Sequence, residues 1–296
     1  MIIPLMAAVV FINMVGASWS VLFYDGSALA KNLEKRVWLE AVEDRAIEAA
    51  MEAELYGETT ASEEFSTHDP KAAIDLVRKT DKISAMFCIL LTAILPFLIR
   101  RYRQMAWLYL VPAAWLLINA HAVALNGGKA YAHLAIPAHA TRWMLPIALC
   151  LLSVMKGCIK PKPHWMLHTN WMLRIACAST FVIHGWEAFQ LHPGFQDLIY
   201  VTSGYIGPEP SADTIHILLR VIGLMDGMMA MSVLLVHSPK TLYWMALWGL
   251  ITALSRPLTM GFEAWPELAM RLANAAVPMF IIALGLPALI RLHQKI

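Results

Sequence analysis

Two ionisable residues three positions apart, His184 and Glu187, lie within an apolar stretch of the length of a membrane span. Residues at i and i+3 of an α-helix share a face, so the imidazole and the carboxyl group could exchange protons with one bound ligand. An ionisable side chain at the centre of a membrane helix costs about 2.5–3.5 kcal/mol and by default indicates function. We predict that His184 and Glu187 handle protons and that Asp226, close to mid-membrane, carries them toward the midplane.

Three arginines are predicted in the same layer as Glu187. A rise of about 1.5 Å per residue places Arg220 and Arg256 level with Glu187. Arg271 and Asn274 fall beside this layer or just above it. Because the guanidinium groups outnumber the carboxylate, a surplus arginine could bind a carbonyl oxygen or an oxyanion. The predicted ligand-binding set is Arg220, Arg256, Arg271 and Asn274; a charge-paired network that only sets helix register is the alternative.

The other histidines do not show the spacing of a metal site. His121, His133 and His139 cluster in the first half of the chain, but no HxxxH or HExxH pattern occurs among them. Ordinary hydrogen bonding at the membrane interface explains them as well. We therefore predict no metal ligands, and the cofactor stays open, with a quinone as the candidate.

The composition excludes a water-soluble fold. Of 296 residues, 59% are apolar and 15% are charged, whereas soluble domains average about 25% charged residues. The mean hydropathy of +0.57 agrees. The basic residues stand in short loops, so their pattern indicates membrane orientation and not nucleic-acid binding. The sequence predicts a multi-pass protein whose main partner is the lipid bilayer.

Apolar runs of about 20 residues predict an all-α polytopic bundle, because a lipid-embedded backbone must satisfy its own hydrogen bonds. The count is eight transmembrane helices. They lie near 2–23, 83–100, 105–125, 139–156, 171–191, 214–236, 241–261 and 268–290.

Loop charges predict the orientation of these spans. Basic residues occur at every second connection, beginning with residues 100–103 and 156–162. The positive-inside rule then places both termini in the cytoplasm and residues 25–82, the outer segment, outside. This segment holds 14 acidic and 8 basic residues. Its sequence predicts an amphipathic helix over 28–56, a polar break over 57–70 and a second short helix over 71–82 that leads into the membrane. It is either a solvated cap or a docking surface for a periplasmic or membrane protein.

The two halves of the chain share an organisation. Each half reads as one helix, a long outer loop and three closely connected helices. Trp107 corresponds to Trp244, and Pro146 corresponds to Pro278. We predict two parallel four-helix repeats, 1–160 (including the outer segment) and 161–296, related by an axis along the membrane normal.

The stretch WMLRIACASTFVIHGWEAF (171–189) resembles the opening helix of the DoxX-like family of small four-helix membrane proteins. The family pattern of an early Arg and a later His-Gly pair is matched by Arg174 and by His184-Gly185. The resemblance implies a bacterial plasma-membrane protein with the second half as the closer copy. It also implies quinone-linked redox chemistry, since some members act on thiosulfate or sulfite with quinone as electron acceptor.

The sequence thus predicts an integral membrane subunit with an outer-leaflet Arg/His/Glu site for a quinone or small oxyanion, as part of a membrane oxidoreductase. The competing hypothesis is a non-enzymatic assembly subunit of a membrane complex. In that hypothesis the outer segment docks a periplasmic partner and the charged network only packs helices.

Overall fold

The fold is a bundle of helices, seen here in a computed structural model that describes residues 2–56, 70–127, 130–155, 163–205, 207, 209–236 and 238–293. The described part is helical throughout and contains no β-strand. The helices are α1 (Ile2–Phe23), α2 (Ala28–Tyr56), α3 (Pro70–Arg101), α4 (Leu110–Asn126), α5 (Ala135–Ala138), α6 (Ala140–Met155), α7 (Pro163–Phe189), α8 (Pro193–Gly204), α9 (Ala212–Leu235), α10 (Pro239–Met260) and α11 (Trp265–His293). Short 3-10 turns precede α4, α5 and α11.

Six helical segments in the described ranges have the length and apolar composition of a membrane span. They are Ile2–Phe23, Pro70–Arg101, Arg103–Asn126, Ala132–Val154, Ala212–Leu235 and Phe262–Gly285. Helices also occupy the other two predicted spans. The 27 residues of α7 cover most of 171–191, and the 22 residues of α10 cover most of 241–261. The two carry polar residues such as Arg174, Glu187 and Arg256 and fall outside the six. The prediction of an all-helical membrane bundle is confirmed, and the count of eight stays a prediction.

The long helices pack in a definite pattern. In each half of the chain the first helix contacts the second (α1 with α3, α7 with α9), and the third contacts the fourth (α4 with α6, α10 with α11). Between the halves, α1 packs on α11 and α7 packs on α6. The largest cluster of buried apolar side chains joins both halves, with Leu145 and Leu149 from α6, Leu173 from α7 and Phe280 from α11.

Glycines allow the closest of these approaches. A Cβ atom at Gly16 would lie 2.7 Å from the Pro266 carbonyl oxygen, and one at Gly249 would lie 2.9 Å from the Asn274 backbone. Small residues at crossings are typical of membrane bundles, where packing and not hydrophobicity holds helices together. The backbones of α1 and α10 can therefore lie directly on α11.

A hydrogen-bonded group fixes one end of the bundle, where α1 leads into α2; we refer to it as the α2 end. The buried Asp81 carboxylate accepts from Ser27 Oγ at 2.6 Å and from Trp115 Nε1 at 3.0 Å. A hydrogen bond from Lys82 at 2.9 Å lowers the pKa of the exposed Asp25 carboxyl below its usual value. These contacts tie the start of α2 to α3 and α4.

At the opposite end of the bundle, the side chain of Arg174 connects helices. Its Nη1 donates to the carbonyl of Val233 at 2.6 Å, and its Nε donates to Asn170 Oδ1 at 2.8 Å. Asn170 in turn donates to the carbonyl of Ile281 at 2.9 Å. The arginine therefore caps the last turn of α9, where carbonyl groups lack helical partners. The two residues connect α7 to both α9 and α11.

Candidate functional site

A cavity of about 600 Å³ lies at the α2 end between the two halves of the chain. We call it the polar cavity. Its wall is built from α1, α4, α5, α6, α7, α10 and α11, the first residues of α2 and α8, and the turns that precede α5 and α8. The charged and ring-bearing side chains that line it are Trp115, Tyr131, His139, Arg142, Trp143, His184, Glu187, His192, Phe195, Arg256, Glu267 and Arg271.

Three guanidinium groups face this cavity, and only one of them has a close carboxylate partner. Arg271 forms an ion pair with Glu267 one turn earlier on α11. Arg142, which is 8% exposed, donates to the sulfur of Met270 at 3.7 Å, and no carboxylate oxygen of the described residues lies within 4.0 Å of it. The buried Nε of Arg256 has no hydrogen-bond partner in the described part of the chain.

The carboxylates of the cavity are Glu187 and Glu267. Glu187 Oε2 lies 3.0 Å from Nδ1 of His184, as the spacing of three residues predicts. Both carboxylates are within electrostatic range of Arg256. Three guanidinium groups against two carboxylates leave one positive charge in excess when all five groups are ionised.

The structure brings four of the seven predicted site residues to the polar cavity. His184, Glu187, Arg256 and Arg271 line it together. Arg220, in contrast, is exposed on α9 and lines neither this cavity nor the second one described below. The position of Arg220 along α9 does not bring it to the site, because the residue is on the exposed side of the helix.

The remaining two predicted residues, Asn274 and Asp226, line a second cavity. Asn274 is buried and accepts a hydrogen bond from Thr141 Oγ1 at 2.6 Å, which links α11 to α6. Asp226 is 5% exposed and interacts with the indole of Trp248. Its Oδ1 atom is buried and has no hydrogen-bond partner in the described part of the chain.

The second cavity, which we call the apolar cavity, has a volume of about 340 Å³ and lies among α7, α8, α9, α10 and α11. Its walls are mainly aliphatic and aromatic, from Phe181, Leu198, Ile199, Leu219, Ile222, Trp248 and Ile251. His184, Phe195, Arg256 and Arg271 line both cavities. We use the term charged cluster for Arg142, Arg256, Arg271, Glu187 and Glu267. The two cavities meet at this cluster, because Arg256 and Arg271 line both of them.

Two charged residues of the polar cavity were absent from the predicted set. Arg142 stands at the start of α6, next to His139, and Glu267 stands in the first turn of α11. The sequence signal for Arg142 is its place in the opening turn of an apolar span, at the same end as the outer segment. Glu267 has the appearance of an ordinary acidic loop residue, and only its ion pair with Arg271 distinguishes it.

A series of ring contacts extends from the polar cavity to His184 and Phe195, which line both cavities. The rings of Tyr131 and His192 are 5.8 Å apart, those of His192 and Phe195 are 4.9 Å apart, and those of Phe195 and His184 are 6.3 Å apart. Leu191, just before His192, has a φ of 58°, a left-handed conformation that a leucine rarely adopts. Within the described ranges, no three His, Cys, Asp or Glu side chains are grouped as a metal site would require.

The fold and the six apolar helices define the class: this is a multi-pass membrane protein built as a helical bundle, with a cavity lined by charged side chains at one end. No family model, no curated protein and no solved structure matches the chain. The resemblance to the DoxX-like family therefore stays a prediction from residues 171–189.

Proposed function

We propose that this chain is an integral membrane subunit whose Arg/His/Glu site binds a quinone or a small oxyanion, as part of a membrane oxidoreductase. The carrying observation is the buried guanidinium of Arg142, which lines a cavity of about 600 Å³ and has no carboxylate oxygen of the described residues within 4.0 Å. Glu267 acts on it only from a greater distance, and this carboxylate is already paired with Arg271. A buried charge is costly unless it is paired and hydrogen-bonded. A carbonyl or oxyanion ligand would provide the hydrogen-bond acceptor that the Arg142 guanidinium needs.

The proposed role of each charged side chain follows from its neighbours. Arg142, Arg256 and Arg271 bind the ligand oxygen, because a planar guanidinium fork matches carbonyl and oxyanion lone pairs. The His184–Glu187 pair exchanges protons with the ligand. Asp226 extends this path toward the midplane. Electrons for a quinone would come from another subunit of the complex.

The proposal places the site in a bacterial plasma membrane, in an eight-helix, DoxX-like bundle of two parallel repeats with both termini cytoplasmic. The packing supports the repeat, because α1 and α7 each contact the last long helix of the other half, α11 and α6 respectively. The helices α2 and α8 also occupy corresponding places, each following the first long helix of its half. The α2 end is then the outer side.

The Arg142→Gln variant tests this proposal. Loss of a charged hydrogen bond costs about 1.5–3 kcal/mol, which predicts roughly 10- to 150-fold weaker binding of a short-tailed ubiquinone analogue or of sulfate. Isothermal titration of the purified full-length protein measures both ligands. Arg220→Gln is the matched control, since this arginine is exposed and lines neither cavity. Equal affinities in wild type and Arg142→Gln, for every ligand that binds, would contradict the proposal.

A second candidate function, an assembly subunit, is favoured by the exposed apolar residues of α2. Trp38 is 63% exposed and Ile47 is 60% exposed, and Val42 lies between them on the same helix. The outer segment is acidic overall, with 14 acidic and 8 basic residues. The matching partner is a periplasmic protein domain with an apolar contact surface and a basic rim.

Substitution of Trp38 and Val42 by glutamate tests the assembly function. Native mass spectrometry of gently extracted complexes should show a stoichiometric protein partner with the wild type and its loss from the Trp38→Glu/Val42→Glu variant. Tyr205→Glu, which changes an exposed aromatic residue outside the outer segment, is the control. A wild-type chain that carries no partner, or only a second copy of itself, would rule out this function.

A further inference from the structure

The apolar cavity continues the charged cluster along the helix axes. Its lining runs from Leu218 to Asp226 on α9 and from Trp248 to Arg256 on α10. Eight residues of helix correspond to about 12 Å. Arg256 lies at one end of the apolar cavity, and Asp226 and Trp248 lie at the other end.

Part of the lining of the apolar cavity is exposed at the surface of the protein. Leu218 and Ile251 line it from α9 and α10, and they are 43% and 45% exposed. Other exposed apolar residues, Val221 on α9 and Leu254 on α10, adjoin them, as expected for helix surfaces in contact with bilayer hydrocarbon. A hydrocarbon chain from the bilayer would have its shortest route to the cavity here.

The charge of the cluster indicates which end group is bound. Arg142, Arg256 and Arg271 face two carboxylates, Glu187 and Glu267, so one positive charge is in excess. A neutral carbonyl would satisfy hydrogen bonds but would leave this charge uncompensated. An anionic end group satisfies both, and it is favoured where low dielectric strengthens the attraction.

We propose that the ligand is an amphiphilic anion: a carboxylate or phosphate group bound by Arg142 and Arg256, on a hydrocarbon chain that occupies the apolar cavity. This inference rests on the oxyanion form of the proposed function, because it names the ligand class of the same site and makes the anion the head group of a hydrocarbon chain. The shared chemistry comes from one of two sources, a free single-chain acid or an anionic bilayer lipid. In both cases the ligand reaches the arginines laterally, between α9 and α10.

The test uses the full-length protein in phosphatidylcholine nanodiscs and radiolabelled dodecanoate as the probe. Dodecyl phosphate should displace the probe, and dodecanol, acetate and inorganic phosphate should do so at least about tenfold less well, since each lacks the anion or the chain. Arg256→Gln should weaken binding by about tenfold or more. Ile222→Trp, which fills the apolar cavity, should have a similar effect. Ile217→Trp is the matched control, because Ile217 is 64% exposed on the same helix and does not line the cavity.

The outcomes separate this inference from the proposed function. Inorganic phosphate that binds as well as dodecyl phosphate, with no effect of Ile222→Trp, overturns the inference and leaves the oxyanion site in place. Binding of a quinone analogue without binding of dodecanoate overturns it and leaves the quinone site. If neither Arg142→Gln nor Arg256→Gln changes the affinity for any probe, both the inference and the proposed function are overturned. If phosphatidylglycerol in the nanodisc displaces dodecanoate, the source is a bilayer lipid; if only single-chain anions do so, the source is a free acid.

Discussion

The Gly223→Leu variant should not assemble into the wild-type bundle, because α7 and α9 cross with their backbones almost in contact. A Cβ at position 223 would lie 2.6 Å from the carbonyl oxygen of Gly185 and 2.8 Å from the backbone nitrogen of Phe189. Backbone atoms cannot rotate away as a side chain can, so the helices must separate. Overpacking of this kind typically costs about 1–3 kcal/mol and sometimes more. Fluorescence-detected size-exclusion chromatography should show loss of the monodisperse peak.

Gly227→Leu provides the control one turn further along α9. A Cβ at Gly227 meets no atom of another helix within 4 Å among the described residues, and replacement of a helical glycine normally gains up to about 1 kcal/mol. We therefore expect Gly227→Leu to migrate as wild type, while the milder Gly223→Ala already lowers the thermal midpoint. A Gly223→Leu protein as stable as Gly227→Leu would show that α7 and α9 do not cross here.

The Arg174→Met variant should lose the connection between α7 and the last turn of α9. Methionine keeps the apolar part of the side chain but leaves the Val233 carbonyl and Asn170 Oδ1 without their donors. Each buried acceptor left unpaired costs about 1–3 kcal/mol, and the carbonyl is one that the helix cannot satisfy itself. Thermal unfolding in detergent should show a large decrease of the midpoint.

The same substitution at Arg220 gives the matched control, since Arg220 is an exposed arginine on α9. Arg220→Met should unfold close to the wild-type temperature, as surface substitutions usually change stability by about 0.5 kcal/mol or less. Arg174→Lys should be intermediate, because one ammonium group cannot reproduce the planar geometry of two guanidinium donors. If Arg174→Met unfolds at the same temperature as the wild type, Arg174 does not stabilise the protein by capping α9.

Helix positions were readable from the chain because a membrane span needs a fixed length of apolar residues. The predicted spans 2–23 and 214–236 nearly coincide with α1 and α9. The span predicted at 83–100 is longer in the structure, since α3 begins at Pro70 and joins the short helix expected over 71–82 into one. Charged residues past the bilayer edge continue a helix as readily as apolar ones, so hydropathy alone does not mark its start. The polar break expected within 57–70 falls almost entirely outside the described residues.

The site was partly predictable for a related reason. Depth in the membrane follows from residue count, and the structure places Glu187, Arg256 and Arg271, which the count assigns to one layer, around the same cavity. Rotation about the helix axis does not follow from residue count, because the lipid-facing side and the core-facing side of a span are both apolar. The count therefore does not distinguish Arg220, which is exposed, from Arg142, which lines the cavity.

By itself the sequence determined that the protein is a multi-pass helical bundle, since its apolar composition and span lengths allow no other backbone arrangement in lipid. It also determined the His184–Glu187 contact, which depends only on neighbouring turns of one helix. Only the tertiary structure decided that α6 and α11 bring Arg142 and Arg271 to the same cavity as that pair. Residues 129 positions apart meet through helix packing, and packing depends on the shapes of all the side chains at the crossings.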